Sequence, residues 1–291
     1  EKGRILGIVG ESGCGKSVTS MSILQLLGSN ARISGGSIKL DGKELIGLPE
    51  KEMCRIRGND IAMIFQDPMT ALNPTLTIGT QLMEPIMLHQ NCGKKEAWTR
   101  AVDVLKRVGI AAPEKRMKQY PHQLSGGMRQ RVMIAMAVSC EPRLLIADEP
   151  TTALDVTIQA QILELMCELR EKMGTAIMLI THDMGVVAET ADDVLVLYAG
   201  KAVEYGSIED IFERPKHPYT QGLLNSIPRL DEDVELLNTI EGTVPAPDAM
   251  PAGCRFAPRC PYGKDRCMKE KPGVYHAGNS LVSCFRYEGE K

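Results

Sequence analysis

Residues 10–17, with the sequence GESGCGKS, constrain the fold more than any other part of the chain. They fit the pattern G-x-x-x-x-G-K-[ST] and lie between an apolar segment at residues 4–9, which predicts a strand, and an apolar-periodic segment at 18–27. Glycines let such a loop curl so that its N–H groups point at phosphate oxygens, and a following helix presents its positive end to the same anion. A chance glycine-rich turn is the alternative, but the strand, loop and helix together favour a nucleotide-binding loop.

Each part of this loop has a predicted task. We expect Lys16 to reach the β- and γ-phosphates and Ser17 to bind Mg²⁺. We interpret Cys14 as a small space-filling residue rather than a redox switch. The predicted nucleotide contacts span the loop and the residue after it: Gly10, Glu11, Ser12, Gly13, Cys14, Gly15, Lys16, Ser17 and Val18.

A second apolar segment, residues 144–147, ends in two carboxylates, Asp148 and Glu149. We predict that Asp148 holds Mg²⁺, directly or through water, and that Glu149 polarises a water for attack on the γ-phosphate. A strand followed by an acidic turn explains the segment equally well when it is taken alone. Together with the loop at 10–17, the catalytic interpretation is favoured.

A third signal, LSGGMRQR at residues 124–131, precedes an apolar helical segment at 132–138. Ser125 is a good N-cap, and Gly126 and Gly127 expose N–H groups at a helix start. This predicts a second anion site, 109 positions after Lys16. One nucleotide has no need of two such sites in one chain unless the second serves a neighbouring subunit.

The motifs have the order and spacing of the ATP-binding subunits of ABC transporters, which the chain resembles over nearly its whole length. The matching motifs are Walker A at 10–17, Walker B with the catalytic glutamate at 144–149, the ABC signature at 124–130, the Q-loop at Gln66, the D-loop at Asp155 and the switch histidine at His182. The resemblance implies an α/β fold of the P-loop NTPase type, specifically an ABC ATPase fold. It implies a RecA-like core at 1–67 and 139–206, an inserted helical subdomain at 68–138 and a small cysteine-containing C-terminal extension at 207–291.

The resemblance also assigns roles at a shared site. Two such subunits pair head to tail, so Ser125, Gly126 and Gly127 would act on the partner's ATP, and Asp155 would cross the dimer interface. Gln66 would sense Mg²⁺ and couple to membrane subunits, and His182 would contact the γ-phosphate. The implied catalytic residues are Glu149, His182 and Gln66, and the implied Mg²⁺ ligands are Ser17, Gln66 and Asp148.

Three further segments resemble one subgroup, the ATPases of dipeptide and oligopeptide importers: QDPMTALNP at 66–74, YPHQ at 120–123 and RPKHPYTQ at 214–221. Within it, the chain looks like the dipeptide-importer "D" type. The subgroup implies a second, distinct ATPase as dimer partner, two transmembrane permease subunits and a periplasmic or extracellular peptide-binding protein. It implies a peripheral location on the cytoplasmic face of the membrane. Nickel, glutathione and antimicrobial-peptide systems use similar ATPases, so these substrates remain open.

A soluble ABC ATPase acting on DNA or ribosomes is the alternative from a different class. Such proteins usually carry two ATPase modules or long insertions, and this sequence has no internal repeat. The formal net charge of −3 gives no reason to expect a nucleic-acid partner. The sequence has no apolar run of about 18 residues, so we expect no membrane-spanning helix, and no basic-then-apolar leader is visible, so we expect no secretion.

Apolar patterns outside the motifs predict strands at 176–180 and 194–197, a helix at 158–173, and mostly helical structure at 68–138. Alternating strands and helices predict parallel strands covered by helices. Asp41–Gly42 predicts a turn. Within the predicted helix at 158–173, we interpret four residues at helical spacing as core: Ile158, Ile162, Leu165 and Met166.

Four cysteines follow a proline-rich linker near residues 243–251: Cys254, Cys260, Cys267 and Cys284. Four thiolates suit zinc or an iron–sulfur cluster, although the spacing matches neither a zinc ribbon nor a bacterial ferredoxin. Eight Lys/Arg against four Asp/Glu from residue 254 onward predict stabilised thiolates. Free or buried cysteines are the alternative. Peptide-importer ATPases are associated with a [4Fe–4S] cluster, so the resemblance favours iron–sulfur over zinc.

In the family, the aromatic residue that stacks on adenine lies on strands upstream of Walker A. This sequence begins too late to contain it. We therefore expect poor folding or weak ATP binding in the chain as given. The strand predicted from residue 4 leaves no room for a preceding turn or strand, so we expect the natural N-terminus to lie upstream.

Overall fold

The strand before the glycine-rich loop and the helix after it are both present in a computed structural model, which describes residues 1–152, 154–227 and 240–289. The strands are β1 Ile5–Val9, β2 Lys39–Leu40, β3 Lys43–Glu44, β4 Ile61–Ile64, β5 Leu144–Asp148, β6 Ala176–Ile180, β7 Asp193–Tyr198, β8 Lys201–Ser207, β9 Tyr275–Ala277 and β10 Ser280–Val282. The α-helices are α1 Lys16–Ile23, α2 Glu50–Ile56, α3 Pro68–Ala71, α4 Ile78–Gln90, α5 Lys94–Arg107, α6 Pro113–Arg116, α7 Gly126–Val138, α8 Val156–Met173, α9 Met184–Thr190, α10 Ile208–Glu213, α11 Pro218–Asn225 and α12 Asp265–Lys269. Within these described ranges, no helix combines the length and apolar character needed to cross a membrane.

The apolar patterns locate these elements well. The predicted strands at 4–9, 144–147, 176–180 and 194–197 and the predominantly helical segment at 68–138 are confirmed, and β2 and β3 meet at the Asp41–Gly42 turn. The helix after the loop is shorter than predicted: α1 ends at Ile23, and Gln25 has a left-handed φ of 51°. A residue in that region cannot continue a right-handed helix.

The described residues form two units. The first comprises Glu1–Arg4 and Ser17–Met178, and the second comprises Ile5–Lys16 and Leu179–Lys291. In the first, β4 and β5 run parallel, and α7 packs against β4, α4 and α5. Its buried hydrophobic side chains are aliphatic residues and methionines and include Ile64, Leu82, Leu105, Ile134 and Ile146. Burying such side chains is the main driving force for folding this unit.

The second unit has a mixed sheet. β1 and β7 run parallel, whereas β7 pairs antiparallel with β8, β8 with β10, and β10 with β9. The prediction of parallel strands is therefore correct for β1–β7 and β4–β5 but incomplete. It missed the antiparallel strands β8, β9 and β10. Of these, β9 and β10 have three residues each, too few to show a hydrophobic period.

Three aromatic rings form the centre of the second unit. Tyr198, Tyr219 and Phe256 are all at most 2% exposed. The ring centroid of Tyr198 lies 4.6 Å from that of Tyr219 and 5.1 Å from that of Phe256, both in edge-on arrangements. Phe256 belongs to the cysteine-containing segment, so that segment shares a core with β7 and α11.

One core prediction is wrong. Ile162, Leu165 and Met166 of α8 are buried, but Ile158 is only half-buried. Ile158 lies in the first turn of α8, where its side chain lines a cavity with Gly127. Helical spacing alone cannot distinguish a core position from a cavity wall on the same face.

Candidate nucleotide-binding site

The loop between β1 and α1 needs its glycines. Gly10, Gly13 and Gly15 have φ values of 151°, 76° and 101°. A Cβ built at Gly10 would lie 2.1 Å from the carbonyl oxygen of Leu197, an impossible contact. The three glycines allow the positive φ angles of the loop, and a side chain at Gly10 would prevent this conformation.

Lys16 lies folded over this loop. Its side chain is buried, and Nζ donates hydrogen bonds to the carbonyl oxygens of Gly10 at 2.7 Å and Glu11 at 3.3 Å. Ser12, Gly13, Ser17 and Val18 are exposed beside it. The loop thus presents an open surface backed by one buried ammonium group, as an anion-binding cradle requires. Burial raises the pKa of the Cys14 thiol, which favours the space-filling interpretation over a redox role.

One tyrosine and one arginine that the sequence does not predict as site residues also contact the loop. The Tyr219 hydroxyl accepts a hydrogen bond from the Glu11 N–H at 2.9 Å, and Arg259 forms an ion pair with the Glu11 carboxylate at 2.8 Å. Both residues are more than 200 positions from Glu11. Tyr219 lies inside the RPKHPYTQ segment, whose resemblance to the peptide-importer subgroup could have indicated a functional role. No motif in the sequence indicates Arg259.

The predicted catalytic carboxylate lies at the end of β5. Asp148 is buried, and Glu149 follows it with a left-handed φ of 47°. The Glu149 carboxylate accepts hydrogen bonds from Gln66 Nε2 at 2.8 Å and from Thr152 Oγ1 at 3.0 Å. A glutamate in this conformation is uncommon, and such conformations cluster at functional sites. The structure therefore brings the predicted Q-loop and the predicted general base into direct contact.

The predicted signature and D-loop residues share one cavity. Ser125 caps α7 by accepting a hydrogen bond from the Met128 N–H, and Asp155 caps α8 by accepting one from the Ile158 N–H. Both helix starts open onto a cavity of about 540 Å³ lined by Ser125, Gly126, Gly127, Leu154, Asp155 and Ile158. Two helix N-termini facing one space make an electropositive surface that suits phosphate.

His182 is the second residue after the end of β6 and is exposed. Its position is fixed by its neighbour: Asp183 caps α9 by accepting hydrogen bonds from the N–H groups of Gly185 and Val186 at 2.9 and 3.3 Å. The Asp183 N–H in turn donates to Thr181 Oγ1 at 3.0 Å. The Thr-His-Asp segment thus places the histidine at a tight strand-to-helix turn.

Sequence comparison agrees with this geometry. The family described as ABC transporter matches residues 1–152, and the family described as oligopeptide/dipeptide transporter, C-terminal region, matches residues 203–267. The chain belongs to the ATP-binding subunits of oligopeptide and dipeptide ABC transporters. As an ABC subunit it is an ATP hydrolase.

Curated relatives of this ABC subunit match it nearly end to end. It is similar to the oligopeptide transport ATP-binding protein AppD of Bacillus subtilis, with 57% identity over 99% of this chain and 89% of the relative. OppD of Escherichia coli, also an oligopeptide transport ATP-binding protein, is 53% identical over 98% and 84%. DppD of Haemophilus influenzae, a dipeptide transport ATP-binding protein, is 51% identical over 97% and 86%.

Solved ABC cassettes share the fold of this subunit. The dimeric ATP-binding cassette MJ0796 bound to ADP and Pi has a TM-score of 0.62 and 29% identity, covering 72% of this chain and 87% of that one. The cassette cbiO1 of Clostridium perfringens has a TM-score of 0.64 and 29% identity, covering 74% and 81%. The expected ABC ATPase fold is confirmed.

The four C-terminal cysteines of the ABC subunit surround one small cavity. Cys254, Cys260, Cys267 and Cys284 are half-buried and line about 80 Å³. The expectation of stabilised thiolates is wrong for three of them. Burial raises the pKa of Cys254, Cys260 and Cys284 and outweighs the backbone hydrogen bonds that lower it; a cation, Arg286, opposes the shift only at Cys284. In the described part of the chain, no group of three or more His, Cys, Asp or Glu side chains is arranged to hold a single metal ion.

Proposed function

We propose that this chain is the ATP-hydrolysing motor subunit of an importer of dipeptides or oligopeptides. The observation that supports it most strongly is the match of residues 203–267 to the oligopeptide/dipeptide transporter C-terminal region, alongside relatives at 51–57% identity that carry peptide transport in their names. This region includes Tyr219 and Arg259, which contact the nucleotide loop. The region that matches the peptide-transporter family therefore contacts the loop to which we assign ATP binding.

In this proposal, the roles of the site residues follow from their surroundings. Lys16 would exchange its bonds to the Gly10 and Glu11 carbonyls for phosphate oxygens. Ser17, Gln66 and Asp148 would hold Mg²⁺, which would neutralise phosphate charge. Glu149, held by Gln66 and Thr152, accepts a proton from the attacking water. His182 contacts the γ-phosphate.

We further propose head-to-tail pairing with a second ATPase. Ser125, Gly126, Gly127 and Asp155 line a cavity that carries two helix N-termini. An ATP held by the partner's loop would give those termini an anion to bind. Two permease subunits and a peptide-binding protein complete the importer, with this subunit peripheral at the cytoplasmic face of the membrane. The division into a core at 1–67 and 139–206, a helical subdomain at 68–138 and an extension at 207–291 stays a prediction.

The four cysteines are proposed to hold a [4Fe–4S] cluster, with Zn²⁺ as the alternative. A closed zinc site needs four sulfurs about 3.8 Å apart, because each Zn–S bond is about 2.3 Å and the geometry is tetrahedral. The described side chains contain no such single-ion arrangement. Four thiols lining one cavity suit a larger group, in which each iron takes one sulfur. A cluster of this kind ties the chain segments around it together.

Transport by the purified complex tests the function. The tagged chain is recovered from membranes of its own host, and the complex is reconstituted into vesicles with its binding protein. We expect ATP-dependent uptake of a labelled dipeptide or tetrapeptide, and no uptake with Glu149→Gln. Uptake of nickel or glutathione without peptide would replace the substrate class. Recovery with DNA or ribosomes instead of permeases would replace the transport function itself.

A further inference from the structure

The C-terminal extension holds the nucleotide loop through one buried ion pair. The Arg259 side chain is 5% exposed, and its guanidinium donates two hydrogen bonds to the Glu11 carboxylate, from Nη1 to Oε2 at 2.8 Å and from Nη2 to Oε1 at 3.0 Å. Glu11 is the second residue of the loop. A two-point contact of this kind fixes both the distance and the orientation of the carboxylate.

The arginine is itself held in place. Its Nε donates to the carbonyl oxygen of Glu241 at 3.0 Å, and Nη2 donates to that of Ile240 at 3.1 Å. Its Nη1 also lies 3.4 Å from the hydroxyl of Tyr198, above whose ring the guanidinium sits at 5.8 Å from the centroid. Because these partners occupy its donors, the side chain cannot move to another carboxylate without losing several hydrogen bonds.

A second arginine from the same segment contacts the turn that is hydrogen-bonded to the loop. Arg255 donates to the carbonyl oxygen of Ala199, and the N–H of the next residue, Gly200, donates to the carbonyl oxygen of Cys14 at 2.7 Å. The Tyr219 hydroxyl holds the Glu11 N–H. Residues of the extension therefore contact the loop directly at Glu11, and at Cys14 only through Ala199 and Gly200.

The charge of Glu11 gives the ion pair a further consequence. The carboxylate belongs to a loop that must accept the phosphates of ATP, and an uncompensated negative charge there opposes their binding. Burial makes that opposition stronger than it would be in water, since the Glu11 side chain is only 27% exposed. Arg259 removes it by pairing.

We propose that Arg259 is a positioning residue for ATP binding. It fixes Glu11 and neutralises its charge, so that residues 10–16 keep a phosphate-binding shape before the nucleotide arrives. Arg259 contacts the loop and not the reacting atoms, so it acts on affinity rather than on the chemical step. The inference rests on ATP binding at this loop and is independent of which substrate is transported.

Equilibrium ATP–Mg²⁺ binding to the full chain tests the proposal, together with KM and kcat of the assembled transporter. Arg259→Met is expected to raise the Kd and KM for ATP about tenfold, with kcat at saturating ATP within about twofold of the parent. Arg259→Lys keeps the charge but loses the two-point contact, so we expect an intermediate Kd. The double variant Arg259→Met/Glu11→Gln should bind ATP more tightly than Arg259→Met alone, because the unpaired carboxylate is gone.

Arg266→Met is the matched control. Arg266 also belongs to the extension, pairs with Glu270 at 2.8 Å and with Glu288, and stacks on Phe285 at 4.0 Å. Its side chain is half exposed, and its partners among the described residues all lie in the extension and not in the loop. We expect its Kd for ATP to equal that of the parent. The proposal is overturned if Arg259→Met and Arg259→Lys both bind ATP like the parent, or if Arg266→Met weakens binding as much as Arg259→Met. It is also overturned if removing the Glu11 charge gives no recovery.

Discussion

Gln66 and Glu149 are joined directly: the Gln66 amide nitrogen donates a hydrogen bond of 2.8 Å to the Glu149 carboxylate, across 83 residues of sequence. The same carboxylate oxygen accepts from the Thr152 hydroxyl at 3.0 Å. Both donors stabilise the ionised form of the carboxylate, which is the form a general base needs. The contact also means that a displacement of the Q-loop displaces a donor of the catalytic glutamate.

Glu149→Gln should therefore separate ATP binding from hydrolysis. The amide keeps the shape of the side chain but cannot accept a proton, so we expect the Kd for ATP to stay within about twofold and turnover to fall by about 10² to 10⁴. Binding and phosphate release measured on the same preparation check this. Thr152→Val is the control, since it removes one donor and leaves the base. Turnover near the parent level in Glu149→Gln would move the base to another residue.

Lys16→Ala should act on binding itself. The ammonium group is buried at the loop, and its removal leaves the Gly10 and Glu11 carbonyls without that donor and the phosphates without that positive partner. We expect the Kd for ATP to rise more than tenfold. Lys172→Ala, on the exposed end of α8, is the control and should bind normally. An unchanged Kd in Lys16→Ala would remove the lysine from its assigned role.

Ser125→Ala tests whether the signature serves a partner's nucleotide. The change removes the cap of α7 and costs about 1 kcal/mol of stability, while ATP binding by the isolated chain should be unchanged. Hydrolysis by the assembled dimer should fall strongly. Thr77→Ala is a close match, because Thr77 caps α4 by accepting from the Thr80 N–H at 3.3 Å, against 3.4 Å for Ser125. If both variants lose hydrolysis equally, the effect of Ser125→Ala comes from the lost helix cap and not from a contact with the partner's nucleotide.

The sequence predicts those parts of the fold that are determined by interactions between residues close together along the chain. The loop at 10–17, the caps Ser125 and Asp155 and the longer strands each depend on neighbours within a few residues. The core prediction is wrong for Ile158, because helical spacing identifies the apolar face of a helix but not whether core or a cavity lies against it. The contacts of Glu11 with Tyr219 and Arg259 span 208 and 248 residues, and no local pattern reports a partner at that distance.

His217 makes the stability of the second unit depend on pH. Its ring is buried and its Nδ1 accepts from the Tyr219 N–H at 3.1 Å; burial, with a smaller effect from Arg286, lowers its pKa to about 3. Below pH 6.5 the unfolded chain binds a proton at this residue and the folded chain does not, so stability falls as the pH drops from 6.5 towards 3. From pH 7.5 to 5.5 this amounts to about 1.4 kcal/mol.

His217→Asn should remove that dependence. Asparagine can still cap α11 but does not titrate, so the variant should lose about 1.4 kcal/mol less than the parent between pH 7.5 and 5.5, whatever its stability at either pH. Urea unfolding at the two values measures the difference. Glu204, which accepts from the N–H groups of Lys216 and His217 and has a pKa raised by burial, is present in both proteins, and its contribution largely cancels. Equal pH sensitivity would contradict a buried neutral His217.

The cysteine site gives the last prediction. Anaerobically purified protein should contain about four iron and four sulfide per chain, with a broad visible absorption. Cys260→Ser should lower the iron content, whereas Cys54→Ser, at an exposed cysteine of α2, should not. Because Cys260 directly follows Arg259, losing the group should also loosen the arginine and raise the Kd for ATP, but only in chains that retain Arg259. If the site holds zinc in place of iron, loss of the zinc should still raise the Kd for ATP, and only the identity of the bound metal would change. If the protein contains neither metal and still binds ATP normally, the position of Arg259 depends only on its own hydrogen bonds.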